Sequence, residues 1–182
     1  MKRALIVVDM QKDFVDGALA NPMAEKIVPL VQAKIKSAKK NHLLIFTRDT
    51  HDPEYLETEE GKNLPVVHCV AGTPGWQVID ELWPYLADAA VILDKETFGS
   101  SGLLDYLRKM KGIEEVELVG LCTDICVISN ALLVKAALPN AHVKVDARCC
   151  AGVTAESHDT ALAAMRACHI EVLGQGEEPW RE

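Results

Sequence analysis

Apolar residues fall along this chain in short unbroken runs that alternate with segments of helical period. Residues 3–9 (Arg-Ala-Leu-Ile-Val-Val-Asp) form one such run closed by an acid, the pattern of a strand buried on both faces of a parallel sheet. A polar loop over residues 10–21 leads into a predicted helix at residues 22–40, with Ile27, Leu30, Val31 and Ile35 on one face. A second strand at residues 42–47 ends at Arg48, Asp49, Thr50 and His51. A loop of roughly 25 residues follows, punctuated by Pro53, Gly61, Pro65, Gly72, Pro74 and Gly75; a structureless stretch that long inside a compact domain usually serves function. Helices are predicted at residues 76–86, 101–111 and 157–168, and strands at 90–93, 116–121, 143–145 and 170–173. A further helix with a cysteine in its first turn runs from the strand at 116–121 to about residue 138, and residues 174–182 read as a loose tail. With no repeat and no linker, strands alternating with helices predict a single α/β domain over residues 1–182 with a mainly parallel sheet.

In such sheets ligands bind beyond the carboxyl ends of the strands. Asp9 follows the first strand, Asp49 and His51 the second, Lys95 the third and Cys126 the fourth, so the chemically versatile residues share one edge. Around Cys126, residues Val116, Leu118, Val119 and Leu121 form the strand, Gly120 stands at its exit, and Thr123 and Asp124 suit a helix start. A thiol there faces unsatisfied backbone N–H groups and the positive end of a helix dipole, which favour the thiolate and could receive an oxyanion. A buried structural cysteine is the plainer alternative, and Cys122 could claim the same role. Lys95 supplies a cation that would lower the thiol pKa, and Asp9 a carboxylate able to take the thiol proton and return it to a leaving amine. Alone, Asp9 reads as a turn residue and Lys95 as a solvated strand end; together at one edge with Cys126 they read as a site.

Asp49-x-His51 and, 17 residues later, His68 form a second set. Imidazole and carboxylate suit zinc, iron or manganese, and three protein ligands leave positions open for water or substrate. Glu57 and Glu60 lie between them and could supply a fourth ligand; Glu60 is preferred, Glu57 and Glu59 being equally at home as solvated acids. His42, His142, His158 and His169 have no such company and read as structural or exposed. Gly72-Thr73-Pro74-Gly75 is a turn, since no Gly-Lys-Ser/Thr follows to make a phosphate loop. Phe14 and Trp76 are candidates to line a pocket against a flat ring, though aromatics so placed also simply pack.

Composition narrows the classes. The chain of 182 residues is 49% hydrophobic and 25% charged, a globular balance sized for one domain. Its net charge of −8 argues against nucleic acid or anionic membrane as a partner. The lysines at 34, 36, 39 and 40 are interrupted and read as a solvated helix face. Six cysteines without a Cys-x-x-Cys pair exclude zinc-ribbon and thioredoxin-like motifs, and a domain of this size needs no disulfides. No secretory pattern precedes the first strand, and residues 4–8 are too few to span a bilayer, so a cytoplasmic protein with reduced thiols is expected.

These residues carry a resemblance. Ala-Leu-Ile-Val-Val-Asp9-Met-Gln-Lys-Asp13-Phe14, the Asp-Lys95-Glu-Thr-Phe-Gly segment and Val-Gly-Leu-Cys122-Thr-Asp-Ile-Cys126-Val resemble the isochorismatase-like cysteine hydrolases, in order and spacing. Thr47-Arg-Asp49-Thr-His51 and Pro65-Val-Val-His68-Cys-Val-Ala-Gly-Thr-Pro-Gly75 resemble the nicotinamidase (pyrazinamidase) branch. The resemblance implies a three-layer α/β/α fold around a six-stranded sheet and a triad of Asp9, Lys95 and Cys126. It implies a divalent metal, most simply zinc, on Asp49, His51, His68 and a further side chain. It also implies an oxyanion hole of the Cys122 and Cys126 N–H groups with a cis peptide between Leu121 and Cys122, and a homo-oligomer, a dimer or larger. The expected activity is hydrolysis of nicotinamide to nicotinate and ammonia, a step of NAD salvage; the alternative is another hydrolase of the superfamily acting on a different small amide or carbamoyl compound. The chain departs from the branch in having Asp52-Pro53 after His51 and no histidine between His51 and His68. A non-catalytic binding protein would have no need of all three triad residues, and a redox pair of Cys122 and Cys126 has the wrong spacing for the usual dithiol motif.

Overall fold

The apolar run near the start of the chain becomes the middle of a sheet. A computed structural model describes residues 2–181, and in it β1 (Lys2–Val8) is buried from Ala4 onward. It pairs in parallel with β2 (His42–Asp49) on one side. β3 (Val91–Lys95) lies beyond β2, and β4 (Ile113–Leu121) flanks β1 on the other side. β5 (His142–Ala151) and β6 (Glu171–Leu173) complete the order β3-β2-β1-β4-β5-β6, every pairing parallel. The sheet is six-stranded, as expected.

Because successive side chains point to opposite faces, β1 serves two cores. Leu5 and Val7 meet Ile27, Val31 and Ile35 of the long helix Pro22–Ala38. Ala4, Ile6 and Val8 belong to the other core, with Leu103, Val134 and Leu162. With α1 (Lys12–Val15) first in the chain, the long helix is α2, and α3 is a single short turn, Glu59–Asn63. The second layer is α4 (Ser101–Lys109), α5 (Ile128–Ala137) and α6 (Ala155–Ala167). Asn21, Ser100 and Thr154 cap α2, α4 and α6 by accepting first-turn N–H groups. Three layers result, with the site-bearing strand ends along one edge.

The irregular segments differ from expectation. No α-helix forms at residues 76–86, because the backbone there is spent on another strand-like segment. Lys12 N–H donates to Gln77 (3.0 Å) and Ile79 N–H to Met10 (3.0 Å), leaving only a 3₁₀ turn, Trp83–Asp88, with Pro84 as its second residue. The long loop after β2 is not structureless: the turn Tyr55–Glu57 and α3 fold over a fully buried Tyr55. β5 runs past Asp146, so Cys149 and Cys150 are packed in the cores. The segment after β6 is docked, not loose: Glu178 and Trp180 are buried, and the indole donates to the Cys150 carbonyl at 3.1 Å. Among the described residues no helix is long and apolar enough to cross a membrane.

Gly120 sets how β4 leaves the sheet. Its φ is +121°, and a Cβ there would stand 2.1 Å from the Val8 carbonyl oxygen on β1. Gly120→Ala is therefore expected to destabilise the fold by on the order of 3 kcal/mol or more, read as a lowered denaturation midpoint in urea at unchanged m. An unchanged midpoint would show that the two strands part without cost.

Candidate active site

Four strand ends deliver the polar groups. Asp9 follows β1 in the left-handed backbone region (φ 47°), where its own N–H reaches the Thr47 carbonyl at 3.3 Å. That conformation is unfavourable for most side chains but tolerable for Asp. It places the fully buried carboxylate beside Lys95 at the end of β3: Oδ2 lies 2.7 Å from Nζ, and Oδ1 accepts from Thr47 Oγ1 at 2.6 Å. The ammonium also donates to Asp49 Oδ1 at 2.8 Å and reaches Cys126 Sγ at 3.4 Å. Asp9, Lys95 and Cys126 thus meet around one buried nitrogen.

Cys126 sits in a π-helical turn, Thr123–Val127, between β4 and α5. Asn130 pins that turn from behind, donating to the Cys126 carbonyl at 2.8 Å and accepting from the Ser100 N–H at 2.9 Å. Cys122 is the N-cap of the turn and Cys126 its fourth residue, within the first helical turn, where N–H groups have few partners of their own. The expected cis peptide between Leu121 and Cys122 is absent: all described peptides are trans, and Cys122 is extended (φ −85°, ψ 148°) while Gly120 carries the unusual angle. The expected lowering of the thiol pKa is also not found. Burial pushes Cys126 well above its ordinary value, the Asp9 charge adds to that, and Lys95 opposes without prevailing. Burial likewise raises Asp9 despite Lys95, so the resting thiol keeps its proton next to a carboxylate ready to hold one. Lys95 itself stays charged: burial disfavours the ammonium, but the Asp9 and Asp49 carboxylates raise its pKa.

The second set converges as well. Asp49 Oδ2 is 2.8 Å from His51 Nε2 and 3.4 Å from His68 Nε2. Glu60 Oε1, brought in by α3, is 3.7 Å from the first and 3.9 Å from the second. Glu57 and Glu59 are exposed. One donor atom from each of Asp49, His51, Glu60 and His68 lies within 4.8 Å of the others. Tetrahedral zinc with bonds of about 2.1 Å sets its ligands about 3.4 Å apart, so the donors fit the ion in number, type and spacing. His68 Nδ1 is 2.7 Å from the Val66 carbonyl, which can only accept. The proton on Nδ1 leaves Nε2 of the neutral ring free to bind a metal. Against burial, Asp49 and Val66 hold the His68 pKa above its ordinary value. Hydrogen bonds from His51, His68 and Lys95 likewise overcome burial to depress Asp49, while burial and Asp49 raise Glu60.

A cavity of about 350 Å³ connects the two sets, with Cys126, Asp49, His68 and Glu60 in its wall. That is a small-ligand size. Phe14 lines it and packs against the His68 ring (5.6 Å between centroids). Trp76 does not reach it: the Arg48 guanidinium covers its ring at 3.8 Å and its indole N–H is spent on Thr50. Apolar walls come instead from Leu19, Phe98, Ile125 and Val153, which lie in loops and turns without a periodic signal. Gln11 was also missed by sequence reasoning. Its side-chain amide accepts from Asp49 N–H at 2.6 Å and donates to the Asp49 carbonyl at 2.8 Å, clamping Asp49 by its backbone. Asp13 does the same beside His68, accepting from Cys69 N–H at 2.7 Å.

The model of the isochorismatase domain matches residues 3–177. The chain is 32% identical to the nicotinamidase/pyrazinamidase of Mycobacterium tuberculosis, over 94% of this chain and 98% of that relative. Among solved structures it resembles the pyrazinamidase of Pyrococcus horikoshii in complex with zinc (TM-score 0.79, 31% identity, 95% and 99% of the two chains). It also resembles the pyrazinamidase/nicotinamidase of Streptococcus mutans (TM-score 0.83, 27% identity, 94% and 100%).

Zinc binding should depend on pH. A histidine with a raised pKa is protonated below that pKa, and its Nε2 is then closed to metal, so affinity should rise as pH rises through it. Calorimetric titration with zinc in buffers of different ionisation enthalpy is expected to show net proton release that fades at higher pH. Affinity independent of pH, with no proton release, would remove His68 from the ligand set.

Proposed function

The chain belongs to the isochorismatase family, and from that membership together with the site geometry we propose that it is a metal-dependent cysteine amidohydrolase converting nicotinamide to nicotinate and ammonia. The observation that carries the reading is the single cavity with a carboxylate–ammonium–thiol cluster in one wall and a zinc-type donor set in another. An amide borne on a flat nitrogen heterocycle gives each a task, the thiol cluster at the carboxamide and the donor set, through its metal, at the ring nitrogen.

Bound on Asp49, His51, His68 and Glu60, a zinc ion supplies a Lewis-acidic hold for the ring nitrogen. The remaining chemistry belongs to the chain. Phe14 and Phe98 confine the ring and exclude water from the wall. Asp9 takes the thiol proton as Cys126 Sγ bonds to the carboxamide carbon, both groups lying against Lys95 Nζ. The electron pair displaced onto the carbonyl oxygen is met by the Cys122 and Cys126 N–H groups. As the C–N bond breaks, Asp9 delivers its proton to the departing nitrogen and ammonia leaves a thioester. Water then adds its oxygen to the acyl carbon and its proton to Asp9. The C–S bond breaks, nicotinate is released, and the proton returns to the thiolate. Throughout, Lys95 balances whichever of Asp9 and Cys126 carries negative charge.

We place the protein in the cytoplasm, acting in NAD salvage, on the strength of the unpaired cysteines and the relatives' activities, and expect a homo-oligomer from the family resemblance.

Ammonia release from nicotinamide should be measured before chelation, after it, and after zinc is restored. Activity that falls at least about 100-fold on chelation and returns with zinc is the expected result. No release from zinc-loaded protein would move the substrate to another small amide. Cys126→Ala should reduce turnover by about 10⁴-fold or more with the thermal midpoint nearly unchanged, since only a sulfur atom is lost. Retained turnover would overturn the nucleophile assignment.

A further inference from the structure

Behind the nucleophile turn lies a buried polar chain that the chemistry does not use. Thr123, the first residue of the π-helical turn, is wholly buried, and its Oγ1 is 2.8 Å from His158 Nδ1 on α6. His158 Nε2 is in turn 3.1 Å from Glu178 Oε1. Neither histidine nor glutamate is exposed, and both come from segments remote in sequence from the turn. Glu178 is itself held by the Gly176 N–H at 2.8 Å and by the Arg181 guanidinium, which also bonds Asp159. Trp180 closes the group, its ring edge-on to His158 at 4.9 Å.

The order Thr–His–Glu has the connectivity of a nucleophilic triad, but Thr123 lines no described cavity and no substrate could reach it. A metal is also a poor fit. Donor atoms of His158, Asp159 and Glu178 come within 4.8 Å of one another, yet the Arg181 guanidinium already serves both carboxylates. What the chain of bonds does fix is direction. Glu178 can only accept, so it places the proton on His158 Nε2 and leaves Nδ1 as an acceptor. Burial holds the ring neutral. Thr123 must then donate to Nδ1, which locks its hydroxyl and hence the start of the turn. Asp124 adds a second tie on the same side, accepting the Val153 N–H at 3.1 Å.

We propose that Glu178 and His158 are positioning residues: acting through Thr123, the docked segment that carries Glu178 sets the angle at which Cys126 presents its sulfur. The proposal rests on Cys126 being the nucleophile. Asn130 holds the far side of the turn from within the next helix, whereas the near side is held by His158, 35 positions from Thr123, and through it by Glu178.

Alkylation of Cys126 by iodoacetamide, followed peptide by peptide in the full-length, zinc-loaded protein, tests this without assuming an amide substrate. Thr123→Val preserves shape and removes the donor; Glu178→Ala frees the imidazole. Each is expected to slow Cys126 alkylation about tenfold. Thr123→Ser and Glu178→Gln, which keep a donor and an acceptor, should stay within about twofold of the parent. The double variant should be no slower than either single one, because both break the same chain of bonds. Unchanged rates in Thr123→Val, or losses that simply multiply in the double variant, would overturn the proposal. If Glu178→Ala does not fold, the Val and Ser pair at position 123 decides alone. Retained nicotinamide turnover in Cys126→Ala would instead remove the nucleophile reading, and this proposal with it.

Discussion

One ammonium group organises this molecule's edge. Lys95 Nζ is buried among Asp9, Asp49 and Cys126, groups borne by or following three other strands. Two buried carboxylates in one place repel each other and are costly to desolvate; a shared cation makes their proximity sustainable. Removing one charged partner from such a cluster generally costs about 3–5 kcal/mol, because the charges left behind have no water to turn to. The alignment of β1, β2, β3 and the turn after β4 is therefore tied to a requirement of charge as well as to apolar packing.

Asp49 spends its two oxygens on different tasks. One accepts from Lys95 and the other faces His51 and His68. The thiol cluster and the metal-type cluster are thus joined through a single carboxylate, itself clamped at the backbone by Gln11. The strand order explains why this can happen. The crossovers run outward from β1 in opposite directions, so a crevice opens between the end of β1 and the end of β4. Asp9 stands on one side of it and the Cys126 turn on the other.

Much of this was readable from residue types alone. Asp9, Asp49, Lys95 and Cys126 each follow a short apolar run, and buried parallel strands make such runs conspicuous. His51 and His68 carried a weaker signal, spacing and company, and Glu60 was a choice among neighbouring acids that only the fold of α3 could decide. Trp76 shows the opposite case: an aromatic near the right loop, whose ring turned to Arg48 and Thr50 for reasons no local pattern reveals. His158 looked like a lone histidine because its partners, Thr123 and Glu178, are distant in sequence. The segment around Glu178 looked loose because one tryptophan and one glutamate leave no periodicity, although two well-seated side chains suffice to dock it.

That docking has a consequence for how the protein comes into being. A ribosome delivers Asp9 before Cys126, and both before Glu178 and Trp180. A nascent chain that has released everything through β5 already holds every member of the thiol cluster, yet still lacks the carboxylate that orients His158 and the indole that covers it. The Cys126 turn is completed only after residues far beyond it in the chain have been made.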